Sequence, residues 1–273
     1  METIIEYFAN ISSAHRSAIL VGGIAFFWMM ESAVPLFRFE YQKWRHALIN
    51  IFFTITTIVV NFSMAFILLL TADWTVEHEF GLLQWAPAVN PFLFALIGLM
   101  LLDLISAWFA HWIQHKVNWM WGFHLIHHTD THVDTTSANR HHPGESVIRF
   151  VFTTLAVLIL GTPMWLVFLY QSLSVVLSQF NHANISIPAK IDTWISYFIV
   201  SPNMHKVHHH YVQPYTDSNY GNIFSIWDRI FGTFTTLHPD EIKYGVDTHP
   251  NPHEHSEIGH MLKIPFLPRK RKA

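Results

Sequence analysis

The chain has 273 residues, 51% hydrophobic and 13% charged. That is about half the charge of a soluble domain, which excludes a globule covered by water and points to lipid as a main solvent. A net charge of -3 with histidine neutral gives no footing for a nucleic-acid surface, and the absence of cysteine excludes disulfides, iron–sulfur clusters, thiolate haem and cysteine nucleophiles.

A helix needs about 20 apolar residues to cross a bilayer core of about 30 Å. The first expected span, Ala18 to Phe37, is apolar except for Glu31. It is preceded by Glu2 and Glu6 and not by the basic start of a cleavable signal peptide. Arg38, Lys43 and Arg45 follow, then the cleanest span, Leu48 to Leu70, which holds no charged residue. The next loop carries Asp73, Glu77 and Glu79, and the third span, Pro91 to Trp112, carries Asp103 and ends on His111. Residues 147–180 are too long for one span and break at Gly161-Thr162-Pro163, because proline removes a helical hydrogen bond and disfavours helix in the residue before it. Two helices, 147–160 and 164–180, forming a returning hairpin are expected.

The positive-inside rule places the Arg38–Arg45 loop in the cytosol and the acidic loop outside. The third span then exits into the cytosol, the hairpin returns there, and the chain from His182 to the basic tail Arg269 to Lys272 stays there. The sequence thus predicts an all-α, multi-pass integral membrane protein with about four transmembrane helices, including the hairpin, and a cytosolic histidine-rich helical cap. Its single membrane domain, 1–273, divides into three transmembrane helices (18–112), a first cap segment (113–146), the hairpin (147–180), a second cap segment (181–240) and a tail (241–273).

Histidine is the residue in excess, with 21 copies. Three groups stand out: His111-Trp-Ile-Gln-His115, His124-Leu-Ile-His127-His128 and His205-Lys-Val-His208-His209, with His182 alone before the third. Residues three and four apart share a helix face, so each group is a multidentate half-site. Nine imidazoles exceed what one ion can use and suit two ions with four or five ligands each. Imidazole accepts iron, copper, zinc or nickel, so the ligands alone leave the metal open. Asp103, Asp130, Asp134, Glu145, Asp217 and Asp228 flank the groups and are candidates to hold the outer ring nitrogens. His132, His141 and His210 adjoin them, His15, His46 and His78 read as interfacial, and the Pro-containing stretch His249 to His260 reads as a flexible tail, the alternative being metal delivery.

At this point the pattern resembles the fatty acid hydroxylase/sterol desaturase superfamily of membrane oxidases, over about Asp103 to Phe234. The resemblance rests on the HxxxH pair, the Trp121–Asp130 segment WGFHLIHHTD, Asn139-Arg140-His141-His142-Pro143-Gly144-Glu145, the His205 group, and Asn219-Tyr-Gly-Asn-Ile-Phe-Ser-Ile-Trp-Asp-Arg-Ile-Phe-Gly-Thr233. It implies four membrane helices, a cytosolic histidine cap and a non-haem di-iron centre. Carried over by motif, the ligands are His111, His115, His124, His127, His128, His205, His208 and His209, with His182 a further one and His142 a site residue. Two positions depart from the family pattern: Trp112, where arginine is common, and His210, where a small polar residue is usual. Read by itself, the closing segment sets Ile223, Trp227, Ile230, Phe231 and Phe234 on one apolar stripe, expected to pack under the cap.

The function expected is O₂-dependent hydroxylation or desaturation of a lipid (sterol, fatty acyl or ether lipid) at two iron ions. The site would face the cytosol from the cell inner membrane or the endoplasmic reticulum. Without a Gly-rich dinucleotide fingerprint in the chain, electrons would come from a cytochrome- or ferredoxin-type partner. The rival reading, a histidine-rich membrane metal transporter or metal-binding protein, would favour ionisable residues lining the spans, where only Glu31 and Asp103 lie. A di-haem cytochrome would need histidines facing each other within spans, and a zinc hydrolase would leave most of the cluster unused.

Overall fold

The computed structural model describes residues 1–268. The basic run Arg269 to Lys272, assigned above to the cytosol, lies outside the described residues. Among the described residues the chain is helical, with isolated β-bridges and no strand. A short α1 (Glu2–Ala9) leads into α2 (Ser13–Ala33), which the Ser12 hydroxyl caps by accepting from the His15 N–H. The long α3 (Lys43–Glu77) is followed by a single helical turn, Leu82–Trp85. Then come α4 (Pro91–Lys116), α5 (Asn118–His128), and the hairpin arms α6 (Pro143–Leu160) and α7 (Met164–His182). The α4 and α6 helices start alike: a side chain, Asn90 or His142, accepts from the first-turn backbone, and a proline follows at the position that needs no N–H.

Three stretches, Lys43–Trp85, Pro91–Lys116 and Pro143–Leu160, are long and apolar enough to cross a membrane. They contain the expected second and third spans and the first hairpin arm. The α2 helix, expected as the first span, and α7, the second arm, have the length at 21 and 19 residues but fall short in apolarity. Arg16 and Glu31 interrupt α2, and Gln171, Ser174, Ser178 and Gln179 interrupt α7. The spans present large apolar side chains outward: Phe62, Phe66 and Phe92 are 82%, 68% and 67% exposed. Their inner faces use smaller residues, with Ala72, Ala95 and Ala156 packed among Leu102, Leu160 and Leu166. This is the distribution that lipid, not water, would cover.

The hairpin turns where proline and glycine placed it. Gly161 caps α6 in the left-handed region at φ 69°, and its carbonyl accepts from Gln84 Nε2 at 2.7 Å. Gly81, at φ 116°, sits so close that a Cβ on it would lie 2.3 Å from the Gly161 nitrogen. The loop after α3 and the hairpin turn therefore interlock through two glycines.

At the other end, α5 and the loop after it meet the chain that follows α7. Glu31, buried at the end of α2, accepts from the backbone N–H of Thr135 at 2.6 Å and of Asn184 at 2.8 Å, so one carboxylate ties the two halves of the cap together. Past α7 lie α8 (Ala189–Ser196), α9 (Pro202–His208) and the short α10 (Ile226–Ile230). The described chain after Asp240, to residue 268, is folded, unlike the flexible tail expected from its prolines. The turns α11 (Pro252–Ser256) and α12 (Ile258–Met261) bring Met261 and Ile264 into a cluster with Ile49, Phe53, Leu125 and Ile126. This strap covers α5, the helix that carries three of the candidate ligands.

Candidate metal centre

All nine expected histidines come together in two adjoining groups. His111, His115, His124, His128 and His208 form one, and His127, His182, His205 and His209 the other; within each, the ligand atoms lie within 4.8 Å of one another. The groups abut where the His128 and His209 rings stack, centroids 4.8 Å apart. They draw unequally on the chain. The first takes four rings from before the hairpin and one from after it, while the second takes one from before, one from the last residue of the hairpin and two from after.

The elements explain the convergence. Before His111, α4 winds as a π-helix over Asp103–Phe109, a looser turn that recurs at functional sites. One helical turn then sets His111 above His115. The α5 spacing sends His124 and His128 to one group and His127, a third of a turn away, to the other. In α9 the same rule sends His208 to the first group and His205 and His209 to the second.

The outer nitrogens of five rings are held. His111 Nδ1 donates to the Tyr220 carbonyl at 2.8 Å, His208 Nδ1 to Ser218 O at 2.6 Å and His182 Nδ1 to Ser178 O at 2.7 Å. His124 Nδ1 meets Glu145 Oε1 at 2.8 Å, and His115 Nδ1 meets Asp217 Oδ1 at 3.2 Å. Each anchor puts the proton on Nδ1 and leaves the Nε2 lone pair facing inward. The rings of His127, His128, His205 and His209 have buried Nδ1 atoms without a hydrogen-bond partner and are set by packing.

Inside, ring nitrogens face ring nitrogens. His182 Nε2 lies 3.1 Å from the Nε2 of His127 and of His205 and 3.2 Å from that of His209; His124 Nε2 lies 3.0 Å from that of His111 and 3.2 Å from that of His128. Ligands at about 2.05 Å from one ion stand about 2.9 Å apart at neighbouring octahedral corners and about 3.4 Å apart at tetrahedral ones. The observed spacings fit a shared cation. Burial in this low-dielectric pocket, with neighbouring imidazoles adding to it, lowers the pKa of His127, His128, His205 and His209 well below 6.5, and burial lowers His182 and His208 to about 3. The rings are neutral, the form that binds metal. Both groups can hold metal ions.

The carboxylates divide by task. Glu145 and Asp217 back the candidate ligands His124 and His115 directly. Asp103 instead accepts from the backbone of Ile223 and Phe224 at 3.2 and 3.0 Å and from Trp227 Nε1 at 3.2 Å. Asp228 accepts from Trp108 Nε1, Tyr220 N and Gly221 N at 2.8–3.0 Å. Together they clamp the closing segment against α4 and so fix the Tyr220 carbonyl that orients His111. The expected apolar stripe is only partly packed: Ile223 and Trp227 are buried, while Ile230 and Phe231 stay exposed because α10 ends after five residues. His142 stands outside both groups. Its Nδ1 caps α6 by accepting from Gly144 N at 2.9 Å, and its Nε2 donates to Leu262 O at 3.3 Å, so neither nitrogen is open to an ion. His141 lies beside the second group, 5.2 Å between its ring centroid and that of His127.

Sequence reasoning missed a polar layer behind α5. His46, read as interfacial, bonds Asp130 at 2.8 Å and pairs with Asp134 at 3.3 Å. The fully buried Arg140 donates to Ile126 O at 3.1 Å, Asn50 Oδ1 at 2.9 Å and His255 O at 2.6 Å. The signal was present as His46 and Asn50, a polar i, i+4 pair at the mouth of an otherwise apolar span. Lys206, buried between two ligands, donates to Ala183 O at 2.7 Å, and burial lowers its pKa to about 7.

Comparison with known proteins gives this centre its context. An alkylglycerol monooxygenase from Danio rerio is 30% identical over 149 residues, which cover 54% of this chain and 31% of its own length. The ornithine lipid hydroxylase OlsE of Rhizobium tropici is 24% identical over 152 residues, 55% of this chain and 43% of its own. A cholesterol 25-hydroxylase-like protein 1, member 2, from Danio rerio is 26% identical over 164 residues, 59% and 58%. The shared part thus spans less than two thirds of these relatives. No solved structure matches the chain. The fatty acid hydroxylase family model matches residues 95–233, half of the chain and a range that contains all nine histidines, and the chain belongs to that family.

Proposed function

We propose that this chain is a membrane-embedded di-iron monooxygenase that uses O₂ to oxidise an unactivated carbon of a lipid, by hydroxylation or desaturation. The observation that carries the reading is the convergence of nine neutral imidazoles in two abutting groups, seven of them nitrogen to nitrogen at 3.0–3.2 Å. Relatives named for alkylglycerol, ornithine-lipid and cholesterol substrates support a lipid (sterol, fatty acyl or ether lipid) as the molecule oxidised. They lend no support to the metal-transporter alternative.

His111, His115, His124, His128 and His208 would hold one iron and His127, His182, His205 and His209 the other. Bound there, the pair would supply the O₂ and C–H chemistry that no side-chain acid or base can perform. The chain's own residues prepare the site. Glu145 keeps the His124 proton on Nδ1, and the carbonyls of Tyr220, Ser218 and Ser178 do the same for His111, His208 and His182. The buried walls exclude water that would compete for ligand positions. The spans deliver an apolar substrate from the bilayer itself. Electrons would come from a cytochrome- or ferredoxin-type donor, since the chain has no cysteine for a cluster of its own. Arg38, Lys43 and Arg45 at the cap end favour a cytosolic site, in a cell inner membrane or the endoplasmic reticulum.

The test has two arms. Purified protein should contain about two iron ions per chain by elemental analysis, and His127→Ala should lose iron while keeping its helical circular dichroism. Mass spectrometry of lipids from cells with and without the active protein should reveal species gaining one oxygen or losing two hydrogens. Full iron occupancy in His127→Ala, or metal flux in vesicles without O₂ consumption, would overturn the assignment.

A further inference from the structure

Outside the nine-histidine centre, the described residues hold another cluster of metal-ligating side chains. His253 and Glu254 lie on α11 and His260 on α12, and each offers a ligand atom within 4.8 Å of the other two. The two imidazoles stand edge to face, centroids 5.0 Å apart and planes at 79°, an arrangement in which two ring nitrogens can address one point. Glu254 is 3% exposed, and its Oε2 accepts from the backbone N–H and the side-chain amide of Asn251 at 3.1 and 3.2 Å. Its orientation is therefore fixed by the cap of its own helix. His253 is exposed and His260 half-buried, so an ion reaches the cluster from water.

Two imidazoles and one carboxylate, with room for water in a fourth position, are a donor set that suits zinc. The single negative charge offsets part of a dication, unlike the all-imidazole centre. The position also matters. Between His253 and His260 the chain passes His255, whose carbonyl accepts from buried Arg140, and it runs on into Met261, which is packed against Leu125 and Ile126. An ion joining α11 to α12 would close the strap as a loop over α5.

We propose that His253, Glu254 and His260 bind one divalent ion of the zinc class, separate from the nine-histidine centre, which ties α11 to α12 and so fixes the shape of the C-terminal strap where it lies over α5. This assignment does not depend on the oxidase reading.

The test uses the full chain in detergent, produced without a histidine tag and carrying its native metal. Added Zn²⁺ followed by desalting should leave about one extra zinc per chain by elemental analysis with iron unchanged, and should raise Tm by about 5 °C at a zinc concentration of about 100 times Kd. The double variant His253→Ala/His260→Ala should take up no extra zinc and show no shift. Because His253 is exposed, His253→Ala alone provides a folded check, with zinc uptake weakened at least tenfold. Uptake of zinc by the double variant equal to that of the unaltered chain, or no extra zinc in the unaltered chain, would overturn the proposal.

Discussion

Behind His124 sits a fully buried carboxylate: Glu145 Oε1 lies 2.8 Å from the ring, with His141 and Arg149 farther off at 3.8 and 3.9 Å. Outer partners of this kind typically change metal affinity 10–100-fold. We expect Glu145→Gln to lower iron affinity by about that factor with the fold retained, measured by competition with a chelator of known strength. Asp217 backs His115 in the same way, but its side chain is 23% exposed and shared with Lys116, so water can replace it. Asp217→Asn should therefore cost less, under about tenfold in the same assay. At this scale the sequence disclosed what obeys a spacing rule. The HxxxH and HxxHH intervals marked the rings because helical geometry dictates their faces. The partners of those rings were largely illegible, since the Tyr220, Ser218 and Ser178 carbonyls belong to the backbone and leave no mark in residue identity.

The hairpin shows what an element needs in order to turn inside a membrane protein. A methyl group on Gly161 would meet the Phe80 carbonyl oxygen at 2.2 Å and would occupy the left-handed region, which alone costs about 1–2 kcal/mol. Gly161→Ala should lower Tm by several degrees and leave iron content unchanged, because the turn lies at the far end of α6 from the cap. Glu31 offers the opposite experiment. Glu31→Ala strands the buried N–H groups of Thr135 and Asn184, at about 1–3 kcal/mol each. It should loosen the seam between the cap halves, seen as faster hydrogen exchange at both residues. The Gly-Thr-Pro break was readable because proline and glycine act locally. The role of Glu31 was not, because its partners are 104 and 153 residues away. The closing stripe misled for a related reason: periodicity assumes a continuing helix, and α10 stops at Ile230.

Over the whole molecule, two kinds of cohesion act in different places. The spans cohere through apolar packing around Leu102, Leu160 and Leu166, whereas the cap is built around close-set ring nitrogens that a shared cation would draw together. Chelation should therefore raise hydrogen exchange in α5 and α9 and leave Lys43–Trp85 protected; uniform loosening would refute this division. Composition revealed the lipid-facing half of that picture, and the histidine excess revealed the other. The folded strap escaped notice because its short turns carry no periodicity. The unequal sharing of rings across the hairpin has a consequence for biosynthesis. When the ribosome has reached Leu160, four of the five donors of the first group exist, but only His127 of the second. On the proposed two-ion reading, the first position can capture its ion while the chain is still growing, and the second must wait until His209 has been made. Occupancy should thus be stepwise, with the first group filled before the second.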